Sequence, residues 1–392
     1  MQRIAMGWLV YRLTDSEFLL GLIGFISVAP ALLFGPIAGV VADRCRLRRI
    51  IIITQFVAML QAAALAALVW TSSIELWHLI ALSTALGLVN VFDVPARQSF
   101  IVQMVGNRHE DLSNAIALNS FVFNGARLVG PSIAGIIVGT LGEGVCFVLN
   151  AVSYVAVIAA LLAMQELPPR RTALSARILD NVREGFAYCF GSGPIRALLI
   201  LVGLVNMVGM PYSVLMPVFA RDVLRGGPDT MGYLMAAAGI GAIAGAMTLA
   251  WRPSVLGLER LVARAPLVLG LSLVVFAQSH TMALSMLALV GIGLSMMTQM
   301  ASTNTLLQTV VDDDKRGRVM GFYAMGFMIT APIGSLLSGV VAERIGAPWT
   351  VTVCGLLAAV AALLLTGTLS GLRPLVARSV RAEEPAAAAS SM

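Results

Sequence analysis

Long apolar stretches separated by short polar loops make up most of this 392-residue chain. Crossing about 30 Å of hydrocarbon takes roughly 20 apolar residues in a helix. The pattern predicts eleven membrane-spanning helices, called spans 2 to 12, and a shorter apolar segment, Gln2–Leu13, that would be span 1. Spans 2 to 12 are Leu19–Ala42, Ile50–Trp70, Leu76–Gln98, Ser113–Thr140, Val145–Met164, Ile195–Ala220, Met231–Trp251, Leu261–Ser279, Met282–Val310, Val319–Val341 and Thr350–Leu369. We therefore expect an all-α integral membrane protein.

Composition supports this expectation and limits the chemistry. Hydrophobic residues make up 58% of the chain and charged residues only 12%, with a mean hydropathy of +0.89. A soluble domain of this length does not carry that balance. Four scattered cysteines favour neither a metal cluster nor a disulfide framework, so we expect no metal, no cofactor and cysteines that act as small packing residues. They are Cys45, Cys146, Cys189 and Cys354.

The net charge of +6 comes from basic residues on one side of the predicted topology. If the loop at 44–49 is cytoplasmic and the spans alternate from there, twenty of the 26 basic residues lie on the inner side. The outer side has Arg12, Arg221, Arg225 and Arg344. This asymmetry is the positive-inside rule, and it predicts a multi-pass protein of the cell (plasma or inner) membrane with both termini in the cytoplasm. The basic surplus orients the protein, and we expect no nucleic-acid partner.

One long polar segment divides the spans into two groups of six. Within it, Ile178, Val182, Phe186 and Cys189 recur at a spacing of three to four residues, which predicts an amphipathic helix on the inner membrane face. We expect an N-terminal bundle at 1–165, this cytoplasmic linker at 166–193 and a C-terminal bundle at 194–370. The Ala-rich tail at 371–392 is expected to be disordered and cytoplasmic.

The two groups of spans are related by an internal repeat. A shift of 204 positions places glycines of the first half on glycines of the second. The pairs are Gly87 with Gly291, Gly130 with Gly334, Gly135 with Gly339, and Gly142 with Gly346. In span 2 the shift is 211, which pairs Gly21 with Gly232. Two six-helix halves, related by an axis along the membrane normal, are typical of one large class of secondary transporters.

The repeat makes the short span 1 an anomaly. Its counterpart, span 7, begins near Pro194, so the matching start falls upstream of Met1. Gln2–Leu13 reaches only about 18 Å as a helix. We therefore expect that the native chain begins upstream and that span 1 is truncated in this sequence.

The loop after span 2 reads Gly39-Val-Val-Ala-Asp43-Arg44-Cys-Arg46-Leu-Arg48-Arg49. It resembles the signature loop of the major facilitator superfamily, G-x-x-x-D-R-x-G-R-[RK]-[RK], with departures at positions 46 and 47. The matching residues are Gly39, Asp43, Arg44, Arg48 and Arg49. The resemblance implies a conformational latch, in which Gly39 allows close helix packing and the Asp43 carboxylate accepts from N–H groups at the start of span 11. Simple positive-inside anchoring would explain the arginines but not the aspartate.

Span 5 contains Ala126-Arg127-Leu-Val-Gly130-Pro131-Ser-Ile-Ala134-Gly135. This segment resembles the antiporter motif G-x-x-x-G-P-x-x-G-G, with alanine at two of the glycine positions. In the family, that motif marks exporters that exchange substrate for protons. A kinked packing face of small residues is the competing interpretation.

Charged residues inside spans are functional candidates, because an unpartnered charge there costs on the order of several kcal/mol. Three stand out, Arg3, Asp93 and Arg127, as members of a proton or charge pathway. Arg127 is expected to face the central cavity, where it would bind an anionic substrate or neutralise an acid. Asp93 lies one turn from Arg97, so it either couples proton movement to transport or forms a salt bridge with that arginine.

Uncharged polar residues complete the set of candidates. A cavity between the two halves would be lined by spans 1, 4, 7 and 10. The candidates on those spans are Asn90, Asn206, Gln299 and Asn304. Hydrogen bonding between helices is the alternative role for each.

Two further segments, Asp93-Val-Pro-Ala-Arg97-Gln98 and Arg12-Leu-Thr14-Asp-Ser16, are similar to the enterobactin-exporter-like and drug:proton antiporter branch of the superfamily. The resemblance implies a major facilitator fold of two six-helix bundles. It also implies a monomeric secondary transporter, not an enzyme, that exports a small amphipathic drug, siderophore or metabolite in exchange for protons by alternating access.

Three alternatives remain open at this point. Solute import on the same fold is the first, and a membrane-embedded enzyme or a channel is more remote. The sequence has no H-E-x-x-H motif and no G-x-x-x-x-G-K-[ST] loop, so neither zinc hydrolysis nor ATP-driven transport is expected.

Overall fold

The computed structural model describes residues 1–105, 133–164, 178–252 and 254–369, together with positions 115, 118, 126, 130, 131, 371 and 374. Within these ranges every element of regular structure is a helix. The expected all-α architecture is therefore confirmed. Most of span 5, the first part of the linker and nearly all of the tail at 371–392 lie outside the described residues.

Helices fill most of the described part of the first half. They are α1 (Gln2–Thr14), α2 (Glu17–Ile26), α3 (Ala29–Arg44), α4 (Leu47–Trp70), α5 (Leu76–Val105), α6 (133–141) and α7 (Glu143–Ala163).

The second half continues the pattern, with short elements in span 7. The helices are α8 (Ile178–Gly191), α9 (Gly193–Gly209), α10 (Pro211–Val214), α11 (Met216–Val218), a π-helical turn (Phe219–Val223), α12 (Pro228–Ala250), α13 (Leu258–Ala277), α14 (Met282–Val310), α15 (Asp313–Ile345) and α16 (Ala347–Leu369).

Ten helical segments among the described residues are long and apolar enough to cross a membrane. They correspond to ten of the eleven predicted spans, and the eleventh, span 5, is the one that is largely outside the described residues. The apolar pattern therefore located these membrane-crossing helices correctly. The predicted short segment at Gln2–Leu13 forms α1.

Span 2 is two helices rather than one, broken at Ser27 and Val28. Pro30 lies in the first turn of α3. A proline inside a helix removes one hydrogen bond and clashes with the carbonyl four residues before it, so the helix ends ahead of it. The break lies against α5, where a Cβ added to Gly87 would be 2.9 Å from the Ser27 carbonyl oxygen.

Span 7 is also broken, for the same physical reason. The single predicted helix becomes α9, α10, α11 and the π-helical turn. Pro211 is the first residue of α10, and Pro217 is the second residue of α11. The Leu224 N–H donates to the Phe219 carbonyl at 2.9 Å, which adds one residue to the turn. Such π-bulges are frequent at functional sites.

The chain packs as two compact units. Unit 1 comprises Met1–Leu174, Val214–Ala236 and Ser335–Glu343, and unit 2 comprises Ser175–Ser213, Ala237–Gly334 and Arg344–Met392. Two short segments of the second half thus belong to the unit that contains the first half. The domain boundaries predicted at 165 and 194 from the polar segment remain a prediction.

Unit 1 is built around α4 and α5. The α4 helix packs on both α5 and α7, and α5 also packs on α2 and α3. Ile51, Ala96, Phe100 and Leu161 form a buried cluster where α4, α5 and α7 meet. The α1 helix contacts α2, α5, α7 and α11, and Ala5, Leu9 and Val10 are completely buried.

Unit 2 depends on very close backbone approach between helices. A Cβ added to Gly293 on α14 would overlap the Ala238 carbonyl oxygen of α12. A Cβ on Gly241 of α12 would in turn overlap the Val290 carbonyl of α14. Gly270 and Gly355 make a similar reciprocal contact between α13 and α16. Small residues of this kind allow helices to associate in a membrane, where apolar side chains gain little by leaving lipid.

We predict that Gly293→Ala lowers the thermal stability of the detergent-solubilised protein, because the added methyl group must push α12 away from α14. Overpacking of this kind costs about 1–3 kcal/mol. The matched control is Gly326→Ala, since a Cβ at Gly326 meets no described atom within 4 Å. Equal melting temperatures for the two variants would contradict the prediction.

Candidate functional site

The centre of the candidate site is the Asp93 carboxylate, buried in the middle of α5. Its Oδ1 atom accepts hydrogen bonds from Thr54 Oγ1 and from Gln55 Nε2, both at 2.8 Å. Its Oδ2 atom accepts from Arg97 Nη2 at 2.9 Å and from Arg97 Nε at 3.2 Å. The aspartate is therefore saturated with donors from two helices, which is what a buried charge requires.

Local sequence explains how these groups meet. Asp93 and Arg97 are four residues apart on α5 and so lie on one face of the helix. The Arg97 side chain is 44% exposed, so the ion pair reaches from the buried interior to an open surface. The Asp93–Arg97 salt bridge, one of the two interpretations of Asp93 from the sequence, is present. The proton-coupling role remains a prediction.

Sequence reasoning missed Thr54 and Gln55. Both are polar residues in the otherwise apolar run of α4, and both are buried. A polar residue in such a run is a signal that it has a partner on another helix, because an unpaired hydroxyl or amide is costly in hydrocarbon. Only the contact of α4 with α5 shows that the partner is Asp93.

A second set of hydrogen-bonded polar side chains lies inside unit 1. Gln2 Nε2 donates to Gln61 Oε1 at 2.6 Å, and Asn150 Nδ2 donates to Gln2 Oε1 at 2.6 Å. Gln61 Nε2 also donates to the Leu82 carbonyl at 3.1 Å. These contacts tie α1, α4, α5 and α7 together. Arg3, the candidate from the sequence, is instead exposed on α1, and Arg127 lies outside the described residues.

Arg48 of the signature segment lies in the first turn of α4, where it caps the end of α7. Arg48 Nε and Nη2 donate to the Leu161 and Leu162 carbonyls at 2.6 and 2.8 Å, at the C-terminal end of α7. A cation there pairs with the terminal carbonyls and with the negative end of the helix dipole. Arg44 and Arg49 are exposed.

The latch itself is not tested by these contacts. Asp43 belongs to α3, but its side chain is not among the described ones. A Cβ added to Gly39 would meet no described atom within 4 Å. The close helix packing expected of this glycine is thus not seen among the described residues, and its role in the latch stays a prediction.

The antiporter-like segment makes one close contact. Gly135, on α6, lies against Gly232 of α12, so a Cβ added to Gly135 would be 2.6 Å from the Gly232 nitrogen. Gly130 and Pro131 are helical, and a Cβ added to Gly130 would lie 3.9 Å from the Met1 nitrogen, an ordinary contact distance. The packing interpretation of the motif therefore holds at Gly135, and the exchange role stays a prediction.

The four cavity candidates differ in their exposure. Asn90 is exposed on α5 and Asn304 is partly exposed on α14, where it accepts a hydrogen bond from Gln308. Asn206 and Gln299 are instead buried inside unit 2, at 2% exposure each. Asn206 Nδ2 donates to Thr330 Oγ1 on α15 at 3.1 Å, and Gln299 Nε2 donates to Thr303 at 3.3 Å.

Unit 2 also contains buried acceptors that lack a donor. Asn206 Oδ1, Gln299 Oε1 and the hydroxyl oxygens of Thr298 and Ser302 have no hydrogen-bond partner among the described residues. Each such atom carries an unmet desolvation cost of about 1–3 kcal/mol. Groups of this type are suited to binding a donor from water or from a bound molecule.

Comparison with known proteins identifies the family. A family model described as transmembrane secretion effector, within the major facilitator superfamily, matches residues 1–387. The chain belongs to this family. The expected resemblance and the exclusion of an enzyme are thereby confirmed.

Curated relatives and solved structures agree with this assignment. The chain is 25% identical to the multidrug efflux pump Tap of Mycolicibacterium fortuitum over 350 residues, which cover 88% of the chain and 85% of that relative. It is 24% identical to the staphyloferrin A transporter of Staphylococcus aureus over 358 residues, which cover 90% of the chain and 88% of that relative. A bacterial homologue of the lysosomal transporter Spinster has the same fold, with a TM-score of 0.73 and 13% sequence identity. The match covers 96% of this chain and 95% of that protein.

The chain is thus a multi-pass membrane transporter of the major facilitator fold, and the secretion family favours export over the importer alternative.

We predict that Arg48→Ala lowers stability by about 1–3 kcal/mol, because it removes two charge-assisted hydrogen bonds from the end of α7. Arg48→Lys should recover only part of this loss, since an ammonium cannot reproduce the planar two-point contact. The measurement is the melting temperature in detergent, with the exposed Arg44→Ala as the control. An Arg48→Ala protein as stable as the control would show that the contact of Arg48 with the end of α7 does not contribute to stability.

Proposed function

We propose that this protein exports a small amphipathic molecule across the cell membrane in exchange for protons, by alternating access. The family assignment and the efflux pumps among the relatives support the direction of transport. The relatives are named for drugs and for a siderophore, which supports a compound of that size and character as the substrate. The proposed working form is a monomer, without a cofactor and without nucleic acid.

The observation that carries the coupling proposal is the environment of Asp93. A carboxylate buried in a span is costly and is by default a functional candidate. Its partners Thr54, Gln55 and Arg97 donate hydrogen bonds to its two oxygens, and the exposed part of Arg97 gives the pair access to an open surface. Protonation of Asp93 would release Arg97, so that proton binding and rearrangement of the charge at that surface are linked.

We also propose that the loop at 44–49 and both termini face the cytoplasm. The support is the distribution of basic residues, most of which lie on that side of the predicted topology. With this orientation, the junction between α1 and α2 faces outward, as does the segment between span 7 and α12.

We predict that Asp93→Asn lowers proton-driven export about tenfold or more, because the amide cannot exchange a proton at this position. Uptake into energised inverted vesicles measures export, with ethidium, an amphipathic antibiotic and a siderophore as probes. The control is Glu75→Gln. It changes an exposed carboxylate that lies just before α5, away from the buried contacts between helices. Undiminished proton-driven uptake by Asp93→Asn would make the aspartate purely structural.

We predict that a membrane-impermeant maleimide labels Cys45 in inverted vesicles but not in intact cells. Cys45 is exposed, which corrects the expectation that every cysteine is a packing residue. Cys189, on α8, is completely buried, and this burial raises the pKa of its thiol. Because the thiolate is the reactive form, a raised pKa leaves less of it at neutral pH, and Cys189 should label only after denaturation.

Two variants complete this experiment. Cys45→Ser should abolish labelling of the native protein, and Cys189→Ser should leave it unchanged. Rapid labelling of Cys45 from outside intact cells would overturn the proposed orientation.

A further inference from the structure

The C-terminal ends of α12 and α14 enclose a cavity within unit 2, which we call the α12–α14 groove. Its volume is about 390 Å³, within the range of sites that bind small molecules. The helical residues that line it are Ala246, Leu249 and Ala250 of α12 and Met297, Ala301 and Thr305 of α14. The one hydroxyl among them, that of Thr305, donates to the Ala301 carbonyl at 3.0 Å. This part of the lining therefore suits a hydrocarbon chain.

Glycine contacts fix the position of the groove. A Cβ added to Gly241 of α12 would overlap the Val290 carbonyl of α14, and one added to Gly245 would be 2.7 Å from the Leu294 carbonyl oxygen. Both helices advance by four residues between these contacts, so they run parallel and touch through their backbones there. The α12–α14 groove follows directly after Gly245 along both helices.

The length of the groove matches the inner half of a bilayer. From Met297 to Thr305, α14 rises by about 12 Å, and half of the hydrocarbon core is about 15 Å thick. The α12 helix has 23 residues, or about 34 Å, so its C-terminal end reaches the membrane surface. In the proposed orientation this is the cytoplasmic surface. The groove thus runs from that surface into the inner leaflet.

A cation lies at the mouth of the groove. Among the described residues that line it, Arg252 is the one that carries a charge. Arg252 lies two residues beyond the end of α12 and is exposed. Its Nη2 atom donates to the Leu256 carbonyl at 3.0 Å. A guanidinium has five N–H donors and binds phosphate oxygens at two points, so one backbone contact leaves it able to bind an anion.

The loop between α12 and α13 holds this arginine in place. Gly257 has a φ of 87°, in the left-handed region, and a Cβ added to it would be 2.9 Å from Arg252 Nη2. Glycine here provides both the turn and the room for the guanidinium. Ser254, which also lines the groove, accepts from the Leu256 N–H at 3.1 Å. Its own O–H is a second donor at the mouth.

Trp251 lies next to Arg252 and is 76% exposed. Tryptophan is enriched at the level of the lipid headgroups, because its ring is apolar and its N–H is polar. This position places the neighbouring guanidinium at the level of the lipid phosphates, with the apolar part of the groove below it. Basic pockets between spans on the cytoplasmic side are suited to anionic headgroups.

We propose that the α12–α14 groove binds an anionic phospholipid of the inner leaflet, with its phosphate on Arg252 and one acyl chain between the two helices. The inference rests on the proposed orientation and holds whatever molecule the protein exports. A zwitterionic lipid brings an ammonium group, for which the described lining residues offer no carboxylate. A free anion would contact Arg252 but leave the apolar lining unfilled. Charge and lining together therefore select a lipid with a net negative charge.

Lipid binding to the purified protein tests the charged end of the groove. Native mass spectrometry measures phosphatidylglycerol and phosphatidylethanolamine bound to the detergent-solubilised protein at equal added concentrations. The parent chain should prefer phosphatidylglycerol, and Arg252→Gln should weaken its binding about fivefold, the scale of one arginine at an anionic surface. Arg252→Lys should retain most of the preference, because it retains the charge. The matched control is Arg260→Gln, which removes an exposed arginine of α13 that does not line the groove.

A second pair of variants tests the apolar end. Ala301→Phe fills the groove from α14 and should also weaken phosphatidylglycerol binding, although Arg252 is intact. Met300→Phe, at the neighbouring exposed position outside the lining, should leave binding unchanged. Melting temperatures without lipid show whether each variant is folded. The rise in melting temperature on adding phosphatidylglycerol is an independent measure of binding, since a ligand of the folded state stabilises it.

The outcomes separate the lipid site from its alternatives. Equal binding of phosphatidylglycerol by folded Arg252→Gln and Arg260→Gln would overturn the proposal, as would equal binding of the two lipids by the parent chain. Displacement of the lipid by an equal concentration of glycerol phosphate would contradict a role for the acyl chain. Weaker binding in Arg252→Gln and Ala301→Phe, but in neither control, supports the site. No transport is measured, so loss of export and loss of lipid binding are distinguishable.

Discussion

Backbone contact at glycine is the constraint on which much of this structure depends. In a bilayer, an apolar side chain gains little by exchanging lipid for protein, so helices associate through close packing and hydrogen bonds. Such close approaches include Gly21 with Gly339, Gly135 with Gly232, and Gly293 with the Ala238 carbonyl. A side chain at these positions would separate the helices and weaken the polar contacts around them.

The same apolar surroundings determine how polar groups are arranged. A buried carboxylate needs donors at both oxygens, and Asp93 obtains them from α4 and from its own helix. Because the environment is dry, these contacts are strong and stabilise the helix pair. One arrangement thus serves both stability and the proposed coupling. Unit 2 differs, since Asn206, Gln299, Thr298 and Ser302 contain buried oxygens without described donors.

The internal repeat connects local sequence to larger architecture. Gly21 contacts Gly339, and Gly232 contacts Gly135. The repeat matches Gly21 with Gly232 and Gly339 with Gly135, so the matched glycines make equivalent helix contacts. The halves also differ at matched positions. The glutamate at 343, where the other half has Gly139, is one such difference, and its carboxylate accepts from the Phe18 N–H.

Sequence alone predicted the spans and the family resemblance, because long apolar runs and the signature loop are local properties, but it predicted spans 2 and 7 as single helices, without their breaks near Pro30, Pro211 and Pro217. It also identified Asp93, Arg97 and Gly135 as positions of interest. It did not show that Thr54 and Gln55 hold Asp93, that Gln2 rather than Arg3 turns inward, or that Glu343 caps α2. These facts needed the tertiary structure, since spans that are apolar on every side do not indicate which face meets which helix. Only the packed arrangement decides which polar groups become partners.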